Sequence, residues 1–340
     1  MSETPLLGLS LIVLGGVLIG LFALPMKLAK RWPWEAIWLV YSITGLLVFP
    51  IAVGIATLPP LYDIYAHAST NALALTALFG FGWGVGAVLF GIGLSRLGMS
   101  LGYSIIMGLT AAFGSLVPIL VLKPAEIATE KGILLLVGLA IILAGVYLCG
   151  VASERKAASG NAGAGSSPSG GRLGGLIICV LAGILAAMLN LAMAFGQDIA
   201  VQAVALGASA SNAPNAIWVL AVACGAIANV GYCVFLLIRN GTGSVLLASD
   251  SLSHWFMGAL MGAVWYWGIT VYGRGATALG SWGAVLGWPV FVAMMILAAN
   301  IAGWVTGEWR NTASRARSTM LAALAVLGLG VFVIGYSGAT

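Results

Sequence analysis

The sequence predicts an all-α membrane protein of ten transmembrane helices, arranged as two inverted five-helix repeats. Three observations support this. Of the 340 residues, 61% are hydrophobic and only 7% are charged, whereas about 25% of the residues of a soluble domain are charged. The apolar residues fall into ten segments, each close to the length that spans a bilayer. One Gly/Ser-rich segment divides these ten into five and five.

A helix needs about 20 residues to cross the hydrocarbon core of a membrane. The first segment, Leu6–Met26, follows a stretch without positive charge and is too long for a cleavable signal peptide. We therefore expect it to be the first spanning helix. The ten predicted spans are residues 6–26, 34–58, 74–95, 99–121, 132–152, 173–195, 213–238, 254–273, 278–305 and 317–337.

Glycine, charge and cysteine content narrow the class of protein further. The 48 glycines indicate closely packed helices, because small residues let helix backbones approach each other in a membrane. The net charge is +5, but the basic residues are spread over short loops, so we expect no nucleic-acid partner. The four cysteines lie in apolar segments without a C-x-x-C pair, so we predict no disulfide, metal site or cofactor.

Lysine and arginine placement predicts the orientation in the membrane. The loops after spans 1, 3, 5, 7 and 9 hold 11 of these residues, and the loops after the even spans hold 3. Cytoplasmic loops carry the excess of positive charge. We therefore predict a bacterial inner-membrane protein with both termini in the periplasm.

The linker predicts the domain organisation. Residues 153–172 form the one low-complexity segment and are expected to be a flexible cytoplasmic linker. They separate a first repeat, residues 1–152, from a second repeat, residues 173–340. Because each half has five spans, two copies of one unit would lie inverted in the membrane, as in many secondary transporters.

A weak sequence similarity between the two halves supports their common origin. Spans 3 and 8 share the spacing of a tryptophan, a later aromatic residue and a glycine, and each is followed by a lone arginine and a Leu-Gly pair. The residues are Trp83, Phe90, Gly91 and Leu101-Gly102 in the first half, and Trp265, Tyr272, Gly273 and Leu279-Gly280 in the second.

The sequence contains no motif of a soluble enzyme. We find no Walker loop, H-E-x-x-H, G-x-S-x-G or kinase signature. The glycine-rich stretch Gly80–Gly86 resembles a nucleotide loop, but it lies within an apolar span, so we interpret it as a helix-packing surface. We therefore predict that the protein has no catalytic residues and is not an enzyme.

Amides at membrane depth are the main candidates for substrate binding, since polar groups are costly there. Asn190, Asn215 and Asn229 lie in predicted spans 6 and 7, and their donors and acceptors suit the hydroxyls of a neutral sugar or polyol. The alternative is that each amide bonds to a neighbouring helix backbone. Asn300, Gln197 and Gln202 are further polar residues of this kind.

Tryptophans within the spans suggest a second kind of contact. Those at the bilayer interface usually face lipid, but indole rings beside glycines also offer flat apolar faces to the C–H surface of a sugar. We predict that Trp83 and Trp265 line a central cavity, and that Trp267 and Trp282 contribute to the same site.

Two carboxylates are candidates for carrying a proton. His67 lies in a predicted external loop and His254 near a predicted cytoplasmic helix end, so neither lies at mid-membrane. Asp198 lies at the external end of span 6, and Glu35 begins span 2. A carboxylate in a partly dry place takes up a proton more readily. The alternatives are a solvated helix-end acid for Asp198 and ordinary helix-dipole chemistry for Glu35.

Several short motifs resemble one family along nearly the whole chain. The tryptophan-bracketed basic loop contains Trp32-Pro33-Trp34-Glu35, and the other matching stretches are Phe79-Gly80 with Trp83-Gly84, Leu97-Gly98-Met99-Ser100, Ala228-Asn229 with Gly231, Trp265-Tyr266 and Gly307-Glu308-Trp309. The chain resembles the L-rhamnose–proton symporter family of the drug/metabolite transporter (DMT) superfamily of ten-helix carriers. That resemblance implies proton-driven sugar uptake.

The leading hypothesis is a secondary active transporter of a neutral monosaccharide or deoxysugar, L-rhamnose-like and proton-coupled, that works by alternating access. No lysine or arginine lies in the middle of a predicted span, and a buried anion would need such a partner, so we predict a neutral substrate. One alternative is an uncoupled facilitator or exporter of small neutral metabolites. An alternative from another class is an intramembrane scaffold, sensor or enzyme.

Overall fold

Thirteen α-helices account for most of the residues that the structure describes. The computed structural model describes residues 5–27, 31–158, 172–248, 251–310 and 312–339, and these ranges contain no β-strand. The helices are α1 Pro5–Leu21, α2 Trp34–Ile43, α3 Phe49–Thr57, α4 Leu61–His67, α5 Thr70–Leu97, α6 Met99–Leu122, α7 Glu130–Lys156, α8 Arg172–Phe195, α9 Gln197–Ala205, α10 Pro214–Asn240, α11 Leu252–Ala278, α12 Gly283–Val305 and α13 Ser314–Ala339.

Nine helical segments in the described ranges are long and apolar enough to cross a membrane. They are α1, α2 with α3, α5, α6, α7, α8 with α9, α10, α12 and α13. Ten were predicted. The remaining long helix, α11, has 27 residues and so has sufficient length, but its tryptophans, tyrosines and His254 lower its hydropathy. The structure is therefore that of a multi-pass membrane protein with nine candidate spans.

Glycines with positive φ make two of the helix junctions very short. Gly98 separates α5 from α6 with a φ of 88°, and Gly280 follows α11 with a φ of 62°. Glycine adopts this conformation without the penalty that a Cβ would bring. The offset that separates Trp83 from Trp265 also separates Gly98 from Gly280. The Leu-Gly pair that matches Leu279-Gly280 is therefore Leu97-Gly98, not the Leu101-Gly102 expected from the sequence.

A π-helical turn interrupts the second span between α2 and α3. It covers Thr44–Val48, and the N–H of Phe49 donates to the carbonyl of Thr44. Pro50 lies just beyond it. Because proline has no N–H and its ring crowds the carbonyl four residues earlier, the α-helical ladder cannot continue at this point. Such turns are frequent at functional sites, and this one packs on α11.

The glycine-rich stretch of α5 is a packing surface, as predicted. A Cβ on Gly80 would lie 2.1 Å from the carbonyl oxygen of Ala221 on α10, and a Cβ on Gly84 would lie 2.3 Å from that of Gly225. On another side of α5, a Cβ on Gly86 would lie 2.8 Å from Leu185 of α8. The glycines thus let α5 contact two helices at backbone distance.

Helix α11 repeats this arrangement with different partners. Gly262, three residues before Trp265, packs against Gly45 of the π-helical turn, and Gly268, three residues after it, packs against Gly15 of α1. In α5 the residues in these positions are Gly80 and Gly86, on either side of Trp83. The two helices therefore carry the same Gly-x-x-Trp-x-x-Gly pattern, which extends to Gly93 and Gly275.

Both ends of the described chain lie at one end of the bundle. Gly335 of α13 lies beside Leu9 of α1, and the Ser337 hydroxyl donates to the Lys131 carbonyl at the start of α7 at 3.2 Å. At the opposite end, α7 continues to Lys156. The first residues of the predicted linker are therefore helical, and residues 159–171 lie outside the described ranges.

Candidate functional site

A stacked pair of tryptophans joins α5 to α11 in the interior. The ring centroids of Trp83 and Trp265 are 5.2 Å apart and their planes are inclined by 27°. The two side chains are 9% and 5% exposed. Gly225 makes room for this pair, because a Cβ there would lie 2.7 Å from the indole of Trp83. The equivalent aromatic residues of α5 and α11 thus contact each other directly.

Further aromatic rings continue from this pair toward the start of α2. Tyr41 packs edge-on against Trp265 with centroids 6.2 Å apart, Trp38 lies 4.7 Å from Tyr41, and Trp34 stacks on Trp38 at 5.2 Å. We call Trp34, Trp38, Tyr41, Trp265 and Trp83 the aromatic row. It extends from one end of the bundle into its middle.

The predicted amides bond to protein groups in this conformation, and Asn190 and Asn229 use both amide atoms. The Asn190 side-chain nitrogen donates to the carbonyls of Gly114 at 2.7 Å and Ala284 at 2.8 Å, and its oxygen accepts from the Tyr272 hydroxyl at 2.5 Å. Gly114 lies four residues before Pro118, which has no N–H to offer it. Asn190 thereby ties α6, α11 and α12 to α8.

Asn229 has a similar set of bonds at the aromatic row. Its nitrogen donates to the carbonyls of Gly84 at 3.2 Å and Gly225 at 3.1 Å, and its oxygen accepts from the Trp38 indole at 3.2 Å. Asn215 donates to the Thr57 hydroxyl at 3.2 Å. These contacts show what the amides do in this state, and their assignment to substrate stays a prediction.

Several buried hydroxyl and indole groups, in contrast, have no partner. Among the described residues, the Trp218 indole N–H is buried without a partner, and the buried Tyr266 and Thr270 hydroxyls have no partner beyond their weak interaction with each other. Tyr266 and Thr270 lie one turn apart on α11. An unpaired buried polar group is costly. Tyr266 was predicted only as part of the Trp265-Tyr266 motif and Thr270 was not predicted, although their four-residue spacing beside Trp265 was a usable signal.

A cavity of about 540 Å³ opens at the bundle end that holds the chain termini. Its walls come from the end of α6, the α8–α9 junction, the end of α11 and the start of α12, and its polar side chains are Lys123, Gln197, Thr277 and Ser281. We call it the α6–α12 cavity. Small-molecule sites have volumes of about 300–1,000 Å³, so a monosaccharide fits here with some water.

The other predicted tryptophans lie at the periphery. Trp267 is 47% exposed on the outside of α11. Trp282 is half-buried beside the α6–α12 cavity, and the ammonium groups of Lys123 and Lys131 lie 5.2 and 5.5 Å from its ring. Lys123 also donates to the Ser281 hydroxyl at 3.0 Å. The structure therefore brings Trp83 and Trp265 together but separates them from Trp267 and Trp282.

The two candidate carboxylates lie at opposite ends of the bundle. Asp198 is partly exposed in the first turn of α9 and accepts a 2.7 Å hydrogen bond from the Ser69 N–H, just before α5. Glu35 is 7% exposed and accepts from the Asn240 side chain at 2.9 Å and the Thr242 hydroxyl at 3.0 Å. Both acids connect helices, and neither lies at the Trp83–Trp265 pair.

Comparison with known proteins identifies the family. A model of the family "L-rhamnose-proton symport protein (RhaT)" matches residues 1–339. The L-rhamnose-proton symporter of Shigella flexneri is 28% identical over 345 residues, which cover 98% of this chain and 96% of that protein. The L-rhamnose-proton symporter of Klebsiella pneumoniae is 27% identical over 345 residues, 98% of each chain. This chain belongs to the RhaT family, a family of transporters and not of enzymes.

Proposed function

We propose that this protein takes up a neutral monosaccharide or deoxysugar, L-rhamnose or a close relative, together with protons. The observation that carries this proposal is the family match over residues 1–339, with relatives named L-rhamnose-proton symporters across 98% of the chain. Alternating access would expose one binding site to each side of the bacterial inner membrane in turn.

The proposed architecture is the ten-helix, two-repeat plan of the DMT superfamily, with α11 as the tenth span. Helix packing supports it. In this plan the first-half helices α1, α2, α5, α6 and α7 correspond, in that order, to the second-half helices α8, α10, α11, α12 and α13. Helix α1 packs on α11 and α12 of the second half, and its counterpart α8 packs on α5 and α6 of the first half. The contact of α2 with α11 likewise matches that of α10 with α5. The Gly-x-x-Trp-x-x-Gly pattern falls on the corresponding helices α5 and α11.

The α6–α12 cavity is the proposed entrance from the periplasm. The positive-charge bias of the loops supports this orientation, since the cavity shares its end of the bundle with the chain termini. Gln197 and Thr277 would receive the sugar. Its hydroxyls would then meet the buried Tyr266 and Thr270 hydroxyls as the helices rearrange, and its apolar face would lie on Trp83 and Trp265.

Charge placement supports a neutral substrate. Every described lysine and arginine lies in a loop or within the first or last two turns of a helix. A sugar phosphate held at mid-membrane would therefore lack a cationic side chain to offset the cost of burying its charge.

Transport by the purified protein in liposomes tests the proposal. We expect accumulation of radiolabelled L-rhamnose when the exterior is acidic, and loss of accumulation when a protonophore collapses the gradient. Counterflow of sugar without any response to the proton gradient would instead identify an uncoupled facilitator. Absence of counterflow for every neutral sugar, with tight binding of a sugar phosphate, would contradict the substrate class.

A further inference from the structure

The starts of α2 and α10 carry the same short sequence. Ala36-Ile37-Trp38 follows Glu35 in the first turn of α2, and Ala216-Ile217-Trp218 follows Asn215 in the first turn of α10. At the same offset, Gly45 and Gly225 follow, and both make backbone-distance contacts: Gly45 with Gly262 of α11, and Gly225 with Gly80 of α5. The three-residue match therefore coincides with equivalent packing in the two halves.

Each of these starts is bonded to the end of the other span. Glu35 accepts hydrogen bonds from Asn240, the last residue of α10, at 2.9 Å and from Thr242 at 3.0 Å. Asn215 donates to Thr57, the last residue of α3, at 3.2 Å. Since α2 and α10 run in opposite directions, these two polar contacts lie at opposite ends of the same helix pair.

The two contacts differ in one chemical respect. Asn215 and Thr57 are both neutral. Glu35 accepts two hydrogen bonds on one carboxylate oxygen, and bonds to an ionised acceptor are about twice as strong as neutral ones. Protonation of Glu35 would convert both bonds to the neutral kind, whereas no proton can alter the Asn215–Thr57 contact in the same way.

We propose that these contacts are the two end latches of the transport cycle, and that the Glu35 latch, unlike its neutral counterpart, loosens on protonation. Glu35, Asn240 and Thr242 are positioning residues that hold one end of the α2–α10 pair closed. The inference rests on the proposed alternating access. In this proposal, pH controls opening at the Glu35 end of the α2–α10 pair, which is the predicted cytoplasmic end. Opening at the Asn215 end depends on substrate alone.

Other titratable groups near the Glu35 latch are few. Among described residues, α10 contributes Cys233 and Arg239, and α11 contributes His254, which stacks on Trp32 with centroids 5.3 Å apart. Arg31 precedes α2. Cys233 is fully buried and close enough to Glu35 for the two groups to interact electrostatically. It is therefore a natural probe for opening at this end.

Cys224 probes the other half of α10. It lies near Tyr65, whose hydroxyl donates to the Ala216 carbonyl at 2.9 Å near the Asn215 latch. Alkylation by N-ethylmaleimide, followed residue by residue with mass spectrometry, reports both ends without requiring transport. Failure of the transport proposal and failure of the latch proposal are thus separate outcomes.

The test compares variants of the full chain in lipid nanodiscs. The double change Asn240→Ala and Thr242→Ala should speed alkylation of Cys233 at least about tenfold, because two charge-assisted bonds are lost, and should leave Cys224 unchanged. Thr57→Val, which removes the partner of Asn215, should speed alkylation of Cys224 and leave Cys233 unchanged. If all four cysteines of the double variant are alkylated rapidly, the variant is misfolded. The single variant Asn240→Ala is then used in place of the double variant.

Glu35→Gln isolates the role of the proton, because glutamine keeps an acceptor oxygen for Asn240 and Thr242. Rates at each pH are divided by that of Cys233 in the unfolded chain, which corrects for the intrinsic pH dependence of thiol alkylation. The corrected rate should rise in the wild type as the pH falls and should stay flat in Glu35→Gln. Equal pH profiles, or unchanged Cys233 labelling in the Asn240 and Thr242 variants, would overturn the proposal.

Discussion

At the scale of single residues, the Trp83–Trp265 pair allows a direct test of the proposed substrate site. Replacement of either by alanine should weaken sugar binding by at least about 1 kcal/mol, because an aromatic wall is lost. The corresponding phenylalanine variants keep a ring and serve as controls. Binding is measured by titration of folded protein in detergent. Unchanged affinity in both alanine variants would assign the pair to helix packing alone.

Tyr266 and Tyr65 form a matched pair of hydroxyl deletions. The buried Tyr266 hydroxyl meets only the Thr270 hydroxyl, without a well-formed hydrogen bond, so Tyr266→Phe should leave the free energy of unfolding nearly unchanged, while sugar transport falls. The Tyr65 hydroxyl bonds to Ala216, so Tyr65→Phe should cost about 1 kcal/mol of stability. Thermal unfolding and uptake rates separate these effects. Full transport by Tyr266→Phe would remove this hydroxyl from the site.

Asp198 tests proton coupling. Asn in its place keeps an oxygen for the Ser69 N–H but carries no charge, so it mimics the protonated acid permanently. If Asp198 carries the proton, Asp198→Asn should retain binding and counterflow and lose pH-driven accumulation. Accumulation by this variant would exclude Asp198. If Glu35→Gln then also accumulates sugar in response to the pH gradient, we would conclude that neither acid couples transport to protons.

The sequence indicated the type of site residue better than its environment. Polar and aromatic residues at membrane depth are rare enough to mark Asn190, Asn229, Trp83 and Trp265. Whether their atoms are free depends on contacts between distant segments, such as the bond from Asn190 to Gly114 on another helix. Single hydroxyls such as that of Thr270 are too common in membrane helices to be selected from sequence alone.

At the scale of helices, two glycines of α5 provide another matched pair. A Cβ on Gly80 would lie 2.1 Å from a backbone carbonyl, whereas a Cβ on Gly91 would meet nothing within 4 Å. Gly80→Ala should therefore destabilise the protein by about 1–3 kcal/mol through overpacking. Gly91→Ala should be neutral or slightly stabilising, since alanine favours the helix.

The measurement for this pair is thermal unfolding of both variants in the same detergent. Equal stability of Gly80→Ala and Gly91→Ala would show that the α5–α10 contact can widen without loss of stability.

Hydropathy predicted these helices well because length and composition alone define a span. It missed the π-helical turn and the short helices α4 and α9, which depend on proline placement and on contacts outside the spans.

At the scale of the whole molecule, the charge distribution predicts the orientation. A reporter that is active only in the periplasm, fused after Thr340, should be active, because the loops rich in lysine and arginine stay in the cytoplasm. A fluorescent protein that matures only in the cytoplasm is the complementary fusion. Fluorescence of that second fusion would reverse the predicted orientation and leave the helices unaffected.

The aromatic row also makes this protein optically distinctive. Indole rings stacked at 5.2 Å share their electronic transitions, so Trp83 with Trp265, and Trp34 with Trp38, should give a coupled signal in the near-ultraviolet circular dichroism. The first pair bridges the two halves of the chain, and the second lies within α2. Relative motion of the halves would therefore weaken the signal of the Trp83–Trp265 pair and leave that of the Trp34–Trp38 pair unchanged. The second pair thus serves as an internal standard, and no dye needs to be attached.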